Sequence, residues 1–181
     1  MIVGRGDIAT ILKDREGFTF FASGVSNSQE TRESEYKREE ELLLSQDKKN
    51  HLVYFGSLAI FYSKTRYALH KRHMEDLVKL NFASYTIMRI GNITWGSNPN
   101  TLINFFKNKL KNNETFEIRD EFRYIIDQEE FLHWVEMIPE WNCEMNIPGK
   151  RMKVTEIVDQ YCKGKRVIKL FNGEEREYGH P

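Results

Sequence analysis

Cysteine is nearly missing from this sequence. Its 181 residues include two, Cys143 and Cys162, too few for a disulfide scaffold and without metal-ligand spacing. Two free thiols imply a reducing compartment. Excess charge is missing too: Lys plus Arg number 27 and Asp plus Glu number 27, a formal net charge of zero. That balance removes bulk charge as a driver of binding, so neither nucleic acid nor a membrane is an expected partner. No apolar run approaches the ~18 residues needed to span a bilayer. The opening residues lack a charged region followed by a long apolar one, so no signal peptide is read. A cytoplasmic protein is the expectation. Internal repeats and low-complexity linkers are also absent from the sequence.

What remains is a hydrophobic content of 40%, suited to one compact domain or one domain with a small appendage. The chain is long enough to bury a core without cross-links. A short apolar run, Met1-Ile2-Val3, ends in glycines. Residues 7–13 have helical character, with Ile8, Ile11 and Leu12 on one face. FTFFA (18–22) reads as a buried strand, and GVSNSQE (24–30) as loop. A charged helix is expected over 31–46, a strand over 51–58, a helix over 67–80 and a strand over 84–90. Strand alternating with helix predicts a parallel sheet covered on both faces. The texture changes after Asn92. GNITWGSNPN is loop chemistry, a helix follows near 101–111, and the remainder is mixed, with a closing helix near 154–161. The tail NGEEREYGHP is expected to fray.

Three patterns carry chemistry. Gly4-Arg5-Gly6-Asp7-Ile8-Ala9 fits G-x-G-x-x-A between a strand and a helix. The first glycine permits a tight turn, the second lets a pyrophosphate approach the backbone, and Ala9 allows close helix packing. A helix starting there would offer free N–H groups to the phosphates. Taken alone, the motif leaves open whether it binds a dinucleotide or only turns. The acid that would hold an adenosine ribose is missing, because the next strand ends in Ala22-Ser23-Gly24. Ser57, at the carboxyl end of a parallel strand, falls where open α/β sheets place ligands. Finally, Tyr67, Lys71 and Glu75 share one helix face. A phenol titrates near pH 10, too high for a base at neutral pH, and an adjacent ammonium favours its ionised form. Such a tyrosine could exchange a proton with a sugar hydroxyl or ketone. The same spacing also occurs on solvated helix faces.

In this order, the glycine turn, FASGVSNS, VYFGSLAIF, Tyr67-x-x-x-Lys71-x-x-x-Glu75 and MRIGNITWG resemble the extended short-chain dehydrogenase/reductases. More narrowly they resemble the NAD-dependent epimerase/dehydratase family that acts on nucleotide sugars. The resemblance continues more faintly in RYIIDQEEFLHWV and MNIPGKRMKVTEIVDQY. It implies a Rossmann-like doubly wound sheet, shortened, with an NAD(P)-binding part at 1–92 and a mixed α/β substrate-side part at 93–181, interwoven with it. Ser57, Tyr67 and Lys71 would form the catalytic triad. NAD or NADP would lie against Gly4, Arg5, Gly6, Asp7, Ile8, Ala22, Ser23, Gly24, Tyr67, Lys71, Ile90, Gly91 and Asn92. A nucleotide sugar would meet Ser57, Asn98, Thr101 and Arg123, the arginine taking the diphosphate. Surface-polysaccharide synthesis is the implied setting. A homodimer through helices 31–47 and 67–80 is implied as well. The chain departs from the family in lacking about two strands and a helix before FTFFASG, on the adenosine side. A dinucleotide- or nucleotide-sugar-binding module without catalysis is the alternative expectation.

Other residues are read more plainly. His70 and His73 flank Lys71 at i, i+3, whereas ligation asks for i, i+4 and a third ligand. They are read as surface histidines, and no metal is expected. Trp95, Trp134 and Trp141 read as core or pocket wall, and Lys107, Lys109 and Lys111 as a solvated helix face.

Overall fold

The computed structural model describes residues 1–119 and 121–162, and the backbone of Arg166–Leu170 and Glu175–Tyr178. Eleven strands are described: β1 (Ile2–Val3), β2 (Phe18–Phe21), β3 (His51–Ser57), β4 (Tyr85–Ile90), β5 (Asn92–Ile93), β6 (Glu117–Ile118), β7 (Phe122–Ile126), β8 (Cys143–Ile147), β9 (Lys150–Lys153), β10 (Arg166–Leu170) and β11 (Glu175–Tyr178). The helices are α1 (Glu33–Leu44), α2 (Ala59–Tyr62), α3 (Arg66–Asn81), α4 (Leu102–Lys111), α5 (Gln128–Glu136) and α6 (Val154–Tyr161). The main sheet is parallel throughout, in the order β1-β2-β3-β4-β8. Two small sheets, β5-β7-β9 and β11-β10-β6, flank it.

The strands of the main sheet read as unbroken apolar runs because both faces are covered. All four residues of β2 are buried, as are His51 to Gly56 of β3. On one face Phe21, Leu52, Tyr54 and Ile87 pack against Leu43 of α1 and Met74 and Val78 of α3. On the other, Phe18, Phe20, Val53, Phe55 and Met88 pack against Leu12, Ile126 and Phe131 of α5. A separate cluster holds α4 to α6 through Ile103, Phe106, Ile157 and Val158. The second half of the chain thus adds β8 and α5 to the sheet built by the first half. Among the described residues no helix is long and apolar enough to cross a membrane.

Helix α3 starts at Thr65, whose hydroxyl accepts from Ala68 N, a side-chain N-cap. Its buried stripe is Ala68, Lys71, Met74, Glu75 and Val78, the i, i+3, i+4 spacing of a core-facing helix. Two of those five residues are charged, and each is paired. Arg89 of β4 grips both Glu75 oxygens, at 2.6 to 3.0 Å. The same arginine reaches Glu144 and Asn146 of β8. It therefore locks α3, β4 and β8 together from a side chain only 9% exposed.

Two expectations are corrected. The tail, expected to fray, is strand over Glu175–Tyr178 and pairs with β10. Residues 7–13 do not form a helix. They form a 3₁₀ turn at Ala9–Ile11, and Leu12 is already extended. The reason is topological. β1 pairs directly with β2, so residues 4–17 must cross from one strand to its neighbour within a link near the minimum for a parallel connection. Leu12, Ile8 and Ile11 of that link pack on the α5 face, while α1 and α3 cover the opposite face. The β1–β2 link therefore has the opposite hand to the β2–β3 and β3–β4 crossovers. Right-handed crossovers are the rule because a helix packs back onto the twisted sheet only that way. A link with one 3₁₀ turn escapes that constraint.

Candidate functional site

The carboxyl ends of β3 and β4 lie side by side, with Ser57 opposite Ile90. Ser57 Oγ accepts from Ala59 N at 3.2 Å, which fixes the start of α2 and leaves the hydroxyl proton free to point elsewhere. The chain then passes through α2 and enters α3 one residue before Tyr67. This half-buried tyrosine stands near Tyr62, which Tyr124 and Arg123 also approach. Tyr62 is held above the ordinary phenol range, first by burial, against the opposing pull of Arg123, and then by Tyr67 and Tyr124. Tyr62 is nonetheless 56% exposed, so it lies at the surface. Arg123 donates to Glu121 at 2.8 Å and to the Phe122 carbonyl, so an anion arriving there must compete with Glu121. Below, Gly91 is squeezed between the carbonyls of Tyr124 and Pro148, 2.8 and 2.7 Å from where a Cβ would stand. Asn92 donates to the Tyr124 carbonyl at 3.0 Å. Ile90, Gly91 and Asn92 thus join β4 to β7.

Lys71 does not point freely at Tyr67. Its side chain is 4% exposed, and its Nζ lies 2.8 Å from Oε1 of Glu39 on α1. The Nζ stands 5.7 Å from the Tyr67 ring centre and 5.5 Å from that of Tyr54. Glu39 is fully buried and receives three further donors: Val25 N at 2.6 Å, Tyr54 OH at 2.9 Å and His70 Nε2 at 3.1 Å. Burial works to raise the Glu39 carboxyl. The Lys71 charge and these hydrogen bonds outweigh it and hold the group far below the usual carboxylate range. Tyr54, wholly buried beside that carboxylate, is pushed well up, by burial first and Glu39 second.

His70 is therefore not a surface histidine. Its side chain is 8% exposed, and its ring packs edge-on against Tyr36 at 4.7 Å. His73 is exposed, as the spacing suggested. The sequence concealed Glu39 inside the charged run ESEYKREEELLL. The signal was there in the spacing, since Tyr36, Glu39 and Leu43 are the buried residues of α1 and stand at i, i+3 and i+7.

The glycine turn lies at the other end of the same sheet edge. Gly4 has φ +130°, and a Cβ there would sit 2.3 Å from the Ala22 carbonyl oxygen. Only glycine allows β1 to turn that close to β2. Gly6 is exposed, with nothing within 4 Å of where its Cβ would stand. Arg5 is exposed, and Ile8 packs into the core. Asp7 reaches across to the loop after β5. Its two carboxylate oxygens accept from Ser97 N and Asn98 N, both at 3.0 Å, and its carbonyl accepts from Trp95 Nε1. Asn98 then donates to Ser26 Oγ at 2.9 Å, and its carbonyl accepts from Thr101 Oγ1. Residues 95–101 are thus strapped over the turn. Ser23 is held by Arg38. A Cβ on Gly24 would stand 2.5 Å from Lys71 Nζ, so this loop forms the roof of the Lys71–Glu39 pair.

No family model matches the sequence, and no curated protein matches it. Solved structures do match in shape. The enzyme WbmG of Bordetella bronchiseptica, in complex with NAD and UDP, superposes with a TM-score of 0.62 at 15% identity, over 80% of this chain and 56% of that one. UDP-glucose 4-epimerase of Thermotoga maritima, with UDP-glucose, gives 0.61 at 14% identity, over 82% of this chain and 62% of the other. dTDP-4-dehydrorhamnose reductase of Bacillus anthracis, in complex with NADP, gives 0.61 at 11% identity, over 80% and 62%. The chain thus spans 56 to 62% of the length of these three structures. The likeness shows the fold, a Rossmann-like α/β architecture.

Proposed function

We propose that this chain is a shortened NAD(P)-dependent nucleotide-sugar epimerase, dehydratase or reductase, with residues 1–92 on the cofactor side and 93–181 on the substrate side. The observation that carries this reading is the position of Tyr67. It stands at the start of α3, ten residues after Ser57 ends β3, with an ammonium 5.7 Å from its ring. Ser57 would hold the sugar oxygen, and Tyr67 would exchange a proton with it. Arg123, beside Tyr62 and Tyr124, would pair with the diphosphate once it leaves Glu121. Asn98 and Thr101 would border the sugar. Surface-polysaccharide synthesis is the setting that such substrates suggest.

The residues present fit one half of a dinucleotide. Gly6 is open to a phosphate, and Ile90 to Asn92 follow the strand end opposite Ser57. A nicotinamide there would accept or return a hydride. The adenosine half is not matched. Among the described residues no strand pairs beyond β1, so the strands that would flank the adenosine are missing. The helix whose N-terminus would face the pyrophosphate is a 3₁₀ turn, and Asp7 sets a carboxylate beside it.

That mismatch, together with the neutralised Lys71, favours a second reading: a module that binds a nucleotide sugar or dinucleotide without turning it over. Isothermal titration with NAD, NADP and a panel of nucleotide sugars, followed by chromatographic analysis of the sugar products, separates the two. Turnover that is abolished in Tyr67→Phe with the fold intact supports the enzyme. Binding with no product formed across the panel supports the module, and no binding at all defeats both. A homodimer through α1 and α3 is proposed on the exposed Leu69 and Leu80 of α3 and Leu44 of α1. A monomer by sedimentation would remove it.

A further inference from the structure

The chain is neutral as a whole but not along its length. Residues 77–113 hold five basic residues and no Asp or Glu, and three of the five lie on α4. Residues 124–149 hold six acidic residues and no Lys or Arg, and three of the six lie on α5. We propose that the chain associates with a second copy of itself, the basic outer face of α4 on one copy docking on the acidic, apolar face of α5 on the other. This surface is separate from α1 and α3, and it stands whatever the chemistry at Tyr67.

Helix α4 is held from beneath by Ile103, Phe106 and Leu110, which pack with α6. Its outer side presents Phe105, 42% exposed, with Lys107 and Lys111. Lys109 is taken up by Glu114 just past the helix. Helix α5 is anchored to the main sheet by Phe131. Its outer side is a shallow groove lined by Gln128, Glu129, Leu132, His133 and Glu136, a single stripe at helical spacing. Met137 and Trp141 follow it, 61% and 72% exposed, so apolar surface and negative charge share one segment. Among the described residues no ion pair engages Lys107, Lys111, Glu129 or Glu136. Two α5 faces brought together would set carboxylate against carboxylate, which is disfavoured. The α4 face offers what the groove lacks, an aromatic ring between cations. Each copy carries both halves of the contact. Exposed charge pairs give specificity more than affinity, and the faces are one helix wide, so the association is weak and sensitive to salt.

Sedimentation velocity of the full chain tests this over about 1–100 μM, where weak contacts form. Association should rise with concentration. It should be about tenfold weaker at high salt, where the screening length falls from about 10 Å at 0.1 M to about 3 Å at 1 M. Lys107→Glu with Lys111→Glu makes both faces acidic, and Glu129→Lys with Glu136→Lys makes both basic. Each double variant alone should lose the association, and an equal mixture of the two should regain it. Native chain that stays monomeric, variants that associate as the native chain does, or a mixture that stays apart would each overturn the proposal. A dimer through α1 and α3 would persist in both variants, and association of that kind alone overturns it too. All four positions are exposed, so circular dichroism should show the fold retained. If a reversed variant does not fold, Lys107→Gln with Lys111→Gln and Glu129→Gln with Glu136→Gln take its place. Each must weaken association, and an unchanged constant in either overturns the proposal.

Discussion

Replacing Asp7 with alanine should release the strap over the glycine turn. Its carboxylate accepts from Ser97 N and Asn98 N, both at 3.0 Å. A hydrogen bond to a charged acceptor is worth about 1.5–3 kcal/mol when shielded. One of these two is exposed and the other partly buried, so about 1 kcal/mol each, or about 2 kcal/mol together, is the fitting figure. Local opening of residues 95–98 should therefore become about thirtyfold more frequent. Amide hydrogen exchange at Ser97 and Asn98 reads that change directly. Asp7→Asn retains one oxygen acceptor and should give an intermediate rate. Gly96→Ala should open the strap from the other side, because its Cβ would stand 2.1 Å from the Asp7 carboxyl carbon, at φ +90°. Exchange at both amides unaltered in Asp7→Ala would refute the latch.

Lys71→Met should destabilise the fold by about 3–5 kcal/mol at neutral pH, because a fully buried carboxylate loses its counter-charge. The native Glu39 carboxyl lies below its unfolded value of 4.5, so its stabilisation is present above that value and lost as pH falls through the folded one. Without Lys71, burial raises the group instead, and urea unfolding should show the deficit narrowing as the pH is lowered toward 4. Gly24→Ala should cost about 1–3 kcal/mol by overpacking against the same pair, and less on top of Lys71→Met than alone. A double-mutant denaturation cycle checks that coupling. Arg89→Met should cost about 3–5 kcal/mol by stranding Glu75, read as a lowered urea midpoint, with Glu75→Gln in the same chain restoring part of it.

The sheet was legible because its strands are buried on both faces: FTFF and HLVYFG admit no other place than a covered parallel sheet. Helix α6 was readable near 154–161. The turn at 9–11 was not, because local propensity favours a helix there, while the pairing of β1 with β2 leaves too little chain for one. The Asp7 latch joins positions 90 residues apart, and no local pattern announces it. The places of Ser57 at a strand end and Tyr67 at a helix start were legible because strand ends and helix starts are local features. What Lys71 touches depends on a neighbouring helix. A glutamate in a run of five charged residues looks solvated until the sheet places Tyr36, Glu39 and Leu43 inward.

The strand order has a consequence for how the chain folds. Each of β2, β3 and β4 docks beside the strand made just before it, so the sheet can lengthen one strand at a time as synthesis proceeds. Only β8 must wait, until residues 91–142 have been made. A sheet whose order reverses must keep both edges of its first strand exposed while later strands return to it, a slower and more aggregation-prone route. Here, among the described residues, the outer edge of β1 is the one left open at that end, and it offers two residues for mispairing, too short a template for another chain to extend.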